Sequence, residues 1–227
     1  MTTFKISHFF KHFLVLLIAT ISVAAGAQES GATGLKDLEN FVKNTKSGRA
    51  AFTQVVTSPA KDNQAPKTKT QSGTFEFLRP NRFKFLYSKP FEQFIVSDGQ
   101  TLWLHDVDLN QVTARKLSQA LNGTPAAVIA TAADLKGLQA DFSLTALPEK
   151  AGLQWVQAVP KTKDGQLQSI TVGTKTTDKG VELAALEILD SFGQRSVITF
   201  SQFEVNPALT AASFQFKPPA GADVSRQ

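Results

Sequence analysis

The spacing of apolar residues changes near residue 48 of this 227-residue chain. Before that point, apolar residues recur every three or four positions, which predicts an amphipathic helix over residues 34–46 with a buried face of Leu35, Leu38, Phe41 and Val42. Gly48 suits the position after the helix end. Beyond it, apolar and polar residues alternate, as they do in strands with one buried face. The pattern therefore predicts a helix followed by a β-rich domain.

Roughly ten or eleven alternating segments follow, separated by turn residues such as Pro80-Asn81 and Asp98-Gly99. Links this short predict antiparallel pairing throughout, and so many sequential strands predict a sheet that curves strongly or closes. The polar stretch Pro59–Ser72 is expected to be a flexible loop. Thr124-Pro125 has the form of a helix start, which predicts a short apolar helix over residues 126–133 that includes Val128 and Ile129.

Three of the predicted strands are apolar on both faces: Phe85-Leu86-Tyr87, Phe94-Ile95-Val96 and Leu102-Trp103-Leu104. A sheet with one wet face alternates instead, so both faces of this sheet need cover. The sheet's own curl can cover one face and helices the other, with a cavity between them. An ordinary packed core produces the same pattern, and the pattern alone leaves both interpretations open.

Arg79 shares strand parity with Phe75 and Phe77, so in a regular strand its guanidinium points to the same side as two phenylalanines. A cation that faces an apolar space needs partners, commonly the backbone carbonyls of a covering element. Two interpretations follow. Arg79 either latches a lid and competes with ligand, or ends its strand and reaches solvent.

Residues 1–27 have the organisation of an export signal: Lys5 and Lys11, then an apolar run over 13–19, then Ala25-Gly26-Ala27. A membrane anchor is the alternative, but the run is shorter than the ~20 residues that span a bilayer. We expect cleavage after Ala27 and a mature single domain over residues 28–227.

Composition and charge exclude several chemistries. The net charge of +5 includes Lys5 and Lys11, and the +3 that remains argues against a nucleic-acid binder. The absence of cysteine excludes disulfides, thiol catalysis and lipid attachment through a lipobox cysteine. His105, with Asp106 and Asp108 nearby, is the only histidine outside the predicted signal, and turn chemistry explains those acids. The sequence predicts no enzyme, no metal and no cofactor.

Five blocks of sequence, in order, resemble the periplasmic outer-membrane lipoprotein carrier family, LolA. They lie at residues 73–85, 93–103, 106–113, 123–130 and 214–219, with Arg79-Pro80, Asp98-Gly99 and Pro218-Pro219 among their features. The resemblance covers nearly the whole mature chain. It implies an unclosed antiparallel half β-barrel with a helical lid over an apolar concave face, which holds the acyl chains of a lipoprotein in the periplasm.

The resemblance also implies roles for particular residues. Arg79 corresponds to the arginine that holds the lid closed, and Phe83 and Phe85 correspond to an aromatic pair of the next strand. Val128 and Ile129 fall in the lid helix. The implied partners are acylated lipoproteins, an inner-membrane lipoprotein-releasing ABC transporter and an outer-membrane lipoprotein receptor, and the implied state is a monomer.

Six aromatic residues on neighbouring predicted strands are expected to contact the lipid: Phe75, Phe77, Phe83, Phe85, Phe94 and Trp103. Two alternatives to a lipoprotein carrier remain. One is a carrier of the same fold for another amphiphile such as a glycolipid, because no residue pattern identifies a headgroup. The other is a periplasmic sensor of the same fold that binds lipid in order to signal.

Overall fold

The computed structural model describes residues 25–60, 65–120, 132–162 and 165–227. Within them lie three α-helices: α1 (Ala25–Asn44), α2 (Leu117–Ala120) and α3 (Leu135–Asp141). Twelve described strands build one sheet: β1 (Ser47–Ser58), β2 (Lys67–Leu78), β3 (Arg82–Lys89), β4 (Gln93–Asp98), β5 (Thr101–Asp106), β6 (Gln111–Lys116), β7 (Phe142–Lys150), β8 (Leu153–Pro160), β9 (Leu167–Thr177), β10 (Gly180–Asp190), β11 (Arg195–Val205) and β12 (Asp223–Arg226). Among those residues no helix combines the length and apolar character needed to cross a membrane.

The strands pair in the order β12-β6-β5-β4-β3-β2-β1-β11-β10-β9-β8-β7, which leaves the sheet open between β12 and β7. The predicted mainly β, unclosed architecture is thereby confirmed. The prediction of wholly antiparallel pairing is wrong at one edge, where β12 runs parallel to β6 with Asp223 opposite Gln111. The chain reaches β12 through residues 206–222 rather than through a hairpin, so no tight turn forces an antiparallel direction.

The predicted flexible loop at 59–72 is shorter than expected, because β2 already begins at Lys67. β2 pairs with β1 from Lys67 opposite Ser58 to Leu78 opposite Ser47. The side chains of residues 67–70 are exposed, so no apolar alternation marks this part of the strand. Backbone hydrogen bonding to β1 extends the strand where the side chains give no signal.

The predicted helix is present as α1, which begins before residue 34 and ends at Asn44. It packs against β7, β8, β9 and β10 and buries Leu38, Phe41 and Val42 there. We call the face of the sheet that α1 covers the concave face and the opposite one the outer face. Gly48 lies within β1 rather than at a helix end, and a Cβ at this position would overlap the Phe77 ring. Glycine here leaves room for the Phe77 ring beside β1.

Both faces of the β3–β6 half of the sheet are covered, as the apolar runs on both parities required. The concave face belongs to the main core, which includes Phe75, Phe83 and Leu102. The outer face is covered by the chain's own C-terminal segment, residues 206–222, whose Phe214 is fully buried and whose Phe216 meets Trp103. The expectation that helices and curl alone would cover the sheet is therefore incomplete.

Candidate functional site

The concave face carries a wall of phenylalanine rings contributed by β2 and β3. Phe75 lies opposite Phe85 and Phe77 opposite Phe83, so all four side chains point to one side. The Phe75 and Phe85 ring centroids are 4.4 Å apart, and those of Phe75 and Phe77 are 5.7 Å apart. None of the four is more than 3% exposed. The wall is large, apolar and closed to solvent in this conformation.

Other aromatic residues extend the wall along β1, β3 and β11. Phe52 approaches Phe85 at 5.4 Å and Tyr87 at 5.0 Å, and Phe200 lies 5.4 Å from Phe75. Sequence reasoning did not include these three residues in the site. Tyr87 shares strand parity with Phe83 and Phe85, which was a signal in the sequence. Phe52 and Phe200 gave none, because their place depends on the registers that set Phe52 opposite Phe200 and opposite Gly73, two residues before Phe75.

Tyr87 brings a polar atom to the end of this apolar wall. Its hydroxyl donates to Oε1 of Gln54 at 2.8 Å, and burial raises the pKa of the phenol to about 12. Gln54 in turn donates from Nε2 to Oγ of Ser196 at 2.7 Å. The hydroxyl is thus satisfied without water, as a buried polar group must be.

α1 covers part of the wall directly. The ring of Phe41 lies edge-on to Phe77 at 6.0 Å and to Phe203 at 6.1 Å. Such edge-to-face pairs stabilise by about 0.5–1.5 kcal/mol beyond area burial. The contact between helix and wall is therefore favourable, but it consists of apolar contacts that another apolar group could replace.

Arg79 joins the sheet to two elements that flank the concave face. Its Nε donates to the carbonyl of Thr45 at 2.9 Å, just after α1, and its Nη1 donates to the carbonyl of Ala132 at 2.7 Å, just before α3. The guanidinium carbon lies 5.0 Å from the Phe77 ring centroid and 5.4 Å from that of Phe41. Arg79 therefore lies on the Phe77 side of its strand.

The position of Arg79 is electrostatically costly. Burial lowers the pKa of its guanidinium to about 10, because low-dielectric surroundings disfavour the charged form. The two carbonyl acceptors and the faces of Phe77 and Phe41 offset this cost. A cation held by backbone carbonyls can be released when a segment that carries one of these carbonyls moves; here the two carbonyls lie just after α1 and just before α3.

Phe94 and Trp103 do not share the phenylalanine wall, so the group of six expected lipid contacts divides into two. Phe94 lies beside Leu86 in the β3–β4 ladder, whereas Phe85 lies beside Ile95. Phe94 stacks on His105 at 5.5 Å.

Trp103 lies on the same outer face. Its ring meets Phe216 of the C-terminal segment at 5.5 Å, and its Nε1 donates to Oδ2 of Asp98 at 3.2 Å. The concave face instead receives Ile95, Leu102 and Leu104 from β4 and β5. Aromatic content alone could not distinguish the two faces, because both are apolar in these strands.

The predicted lid residues Val128 and Ile129 lie outside the described residues. Ala132, the next residue that the structure describes, accepts from Arg79 and lies just before α3. Asp134 caps α3 by accepting from the amide of Gly137 at 2.7 Å. Leu138 of α3 is buried in the main core, so the first described part of this segment is tied to the concave face.

His105 is buried against Phe94 and Phe216, and neither ring nitrogen has a hydrogen-bond partner within the described ranges. Asp106 Oδ1 accepts from the amide of Leu109, which is a turn contact. A general acid or base needs an orienting partner and a path to substrate, and the described surroundings of His105 provide packing contacts instead.

An open surface groove of about 400 Å³ lies between the β2–β3 and β4–β5 turns and the C-terminal segment. Its lining includes Asn81, Arg82, Asp98 and Gln215. The groove is polar and contains none of the phenylalanines of the wall. It therefore does not alter the assignment of the concave face as the candidate site.

Comparison with known proteins gives a consistent result. Residues 43–217 match the family model described as outer membrane lipoprotein carrier protein LolA. The outer-membrane lipoprotein carrier protein of Albidiferax ferrireducens is 69% identical over 92% of this chain and 98% of its own length. The protein of the same name from Methylibium petroleiphilum is 54% identical over 92% of this chain and 97% of its own.

Among solved structures, a LolA superfamily protein from Nitrosomonas europaea aligns with 82% of this chain and 98% of its own, at 12% identity and a TM-score of 0.46. That likeness is too distant to support an argument about the site. The family match spans most of the chain, and the two sequence relatives are similar over nearly their full lengths. The chain therefore belongs to the outer membrane lipoprotein carrier family, LolA.

Proposed function

We propose that this protein carries lipoproteins across the periplasm and holds their acyl chains against the concave phenylalanine wall. The observation that carries the proposal is the wall itself: Phe75, Phe77, Phe83 and Phe85 form one apolar surface, part of which Phe41 of α1 covers. Membership of the lipoprotein carrier family supports it. The chain's own residues perform no catalytic step in this function; they shield an apolar ligand from water.

The energetics favour a carrier of moderate affinity. Keeping one acyl methylene from water is worth ~0.8 kcal/mol, so a long acyl chain does not cross an aqueous compartment unshielded at appreciable concentration. In the closed conformation Phe41 of α1 occupies part of the wall. A ligand must replace that contact, which lowers the apparent affinity because the open state is a minority of the free protein. A lower affinity permits delivery.

Arg79 is proposed to latch the closed state. Its bonds to Thr45 and Ala132 both lie at boundaries of covering elements, so opening must break at least one of them. These bonds form again after the acyl chains leave, which makes the release of the acyl chains more favourable. The Arg79 bonds thus favour the closed state, and bound lipoprotein favours the open state of the same equilibrium.

The proposal extends to the route. Residues 1–27 direct export and are removed, and the mature domain, a monomer, acts in the periplasm. It accepts lipoproteins from an inner-membrane lipoprotein-releasing ABC transporter and passes them to an outer-membrane lipoprotein receptor. Val128 and Ile129 are proposed to belong to the moving cover.

The protein purified from its native periplasm tests the proposal through its co-purifying ligand. Mass spectrometry of the bound material should find acylated lipoprotein in the wild-type chain. A matched sample in which Phe85 is replaced by a charged residue should lack it, while the same replacement at exposed Phe192 should retain it. Recovery of a glycolipid or other amphiphile in place of lipoprotein would contradict the assignment of the ligand.

A further inference from the structure

Two large apolar side chains are exposed on adjacent turns of the sheet. Phe91, in the β3–β4 turn, is 67% exposed, and Leu109, in the β5–β6 turn, is 64% exposed. The turns touch, because the amide of Val107 donates to the carbonyl of Glu92 at 3.2 Å. We call these two turns, with Phe91 and Leu109 at their centre, the tip patch. Two exposed side chains of this size on touching turns suggest a contact surface.

The tip patch is surrounded by carboxylates. Glu92 and Asp108 are exposed beside its apolar residues, Asp106 accepts from Leu109, and Asp223 lies next to Asn110, to whose carbonyl its amide donates at 3.0 Å. Lys89 is the only basic residue in segments 88–92 and 106–110. In the described ranges none of the four carboxylates belongs to an ion pair.

The tip patch is negatively charged, whereas the whole chain has a net charge of +5. The described ion pairs lie elsewhere, as in the Arg49–Glu76–Lys84 group on the outer face. Carboxylates that are exposed and unpaired around an apolar centre make a surface complementary to a basic one. An anionic lipid surface would be repelled by the same carboxylates.

The tip patch is also remote from the Arg79 latch. β3 begins at Arg82, three residues after Arg79, and ends at Lys89, so the latch and the patch lie at opposite ends of this strand. Eight strand residues span roughly 25 Å at about 3.3 Å per residue. A partner could therefore hold the patch without blocking the movement of the cover at the latch.

We propose that the tip patch docks a protein partner whose contact surface has an apolar centre ringed by lysine and arginine. The inference rests on the proposed function, because a carrier that loads and unloads at two membranes must bind a protein at each. Phe91 and Leu109 supply the buried centre of the contact, and the carboxylates accelerate and orient its approach.

The test measures binding of the full mature chain to two purified probes: the periplasmic domain of the lipoprotein-releasing transporter and the lipid-free soluble domain of the receptor. Phe91→Ser combined with Leu109→Ser should weaken binding to at least one probe about tenfold or more. Combined Glu92→Gln, Asp108→Asn and Asp223→Asn should slow association and reduce its sensitivity to salt. Phe192→Ser is the matched control, because Phe192 is equally exposed at 68% on a different turn, and it should leave both affinities unchanged.

Unchanged affinity of the double variant for both probes would overturn the inference. It would also be overturned if the wild-type chain bound anionic vesicles independently of salt and the double variant lost that binding, because the patch would then dock a membrane. Lipoprotein transfer by the same proteins separates the two proposals. If the wild-type chain and the double variant transfer equally well, the docking inference fails and the carrier function stands. If the wild-type chain neither binds a probe nor transfers lipoprotein, both proposals fail.

Discussion

Arg79 is the residue whose position is hardest to explain by folding alone. Burial lowers the pKa of its guanidinium to about 10, and it lies directly after β2 with bonds to the residues that flank α1 and α3. Replacing Arg79 by leucine removes the buried charge but also takes this donor away from the carbonyls of Thr45 and Ala132. These bonds to two covering elements are the reason why we propose that Arg79 controls the conformation of the cover.

Arg79→Leu should leave acceptance of lipoprotein intact and reduce delivery to the receptor. The variant lacks the bonds to Thr45 and Ala132, so release no longer regains them and the loaded state gains population. Delivery by Arg79→Lys should lie between that of the wild-type chain and that of Arg79→Leu, because lysine keeps the charge and loses the planar fork of donors. A two-step transfer assay measures both steps with folded variants; undiminished delivery by Arg79→Leu would remove the latch from the mechanism.

Tyr87 offers a direct optical reading of the closed wall, because it is the only tyrosine in the sequence. Its pKa is raised to about 12 by burial, so the folded protein should develop phenolate absorbance near pH 12, when read before alkaline unfolding by rapid mixing. The unfolded chain ionises near pH 10. The unfolded state therefore loses its proton first, and the contribution of Tyr87 to stability falls as pH rises from about 10 to about 12.

The urea-unfolded protein is the control for that titration.

Arg79 has the opposite effect on stability over the alkaline range. The pKa of its guanidinium in the folded protein lies below its ordinary value, so its burial becomes less costly as pH rises above about 10. Absorbance, which reports Tyr87 alone, is thus a better measurement than overall stability. Ionisation of the folded protein near pH 10 would show that water reaches the Tyr87 end of the wall.

At the scale of elements, the sequence predicted most strands and missed what local patterns do not encode. Alternation located β3 to β6 closely, because turn residues bound each strand. The polar start of β2 and the short β12 were missed, since both depend on pairing with distant segments and their side chains are exposed.

Assignment of faces was the second limit. The placement of Arg79 with Phe77 followed from parity within one strand. The separation of Phe94 and Trp103 from Phe83 and Phe85 required the register between strands, which no local pattern gives when both faces are apolar. Only the placement of Phe214 and Phe216 over the outer face explains why that face is apolar.

The C-terminal segment should therefore stabilise the sheet without taking part in ligand binding. Phe214 is fully buried, Lys84 Nζ lies 5.7 Å from its ring, and the same Nζ donates to the carbonyl of Ser213 at 3.2 Å. Phe214→Ala should lower the free energy of unfolding by about 3–5 kcal/mol. Urea titration measures the loss.

Affinity for an apolar fluorescent probe, measured on the folded fraction of Phe214→Ala, should remain at the wild-type value, because the probe binds the opposite face. A fall in probe affinity that matches the loss of stability would link the outer face to the concave one. Phe216→Ala is the milder companion variant, since Phe216 is only half-buried.

At the scale of the whole molecule, the two faces of the open twelve-stranded sheet have different covers. The outer face of β3 to β6 is fastened by the chain's own C-terminal segment, and the concave face is covered by α1 and by the segment that Arg79 holds. In the proposed mechanism the outer cover stays in place while the cover of the concave face is released, so that an acyl chain can replace protein side chains against the wall.

Photo-crosslinking from the two faces tests the central claim most directly. A benzophenone amino acid replaces Phe85 on the concave face in one protein and Trp103 on the outer face in another, and each is loaded with acylated lipoprotein. Position 85 should give crosslinks that disappear when the lipoprotein is not acylated, and position 103 should give none. Acyl-dependent crosslinks from position 103, or their absence from position 85 in a loaded and folded complex, would contradict it.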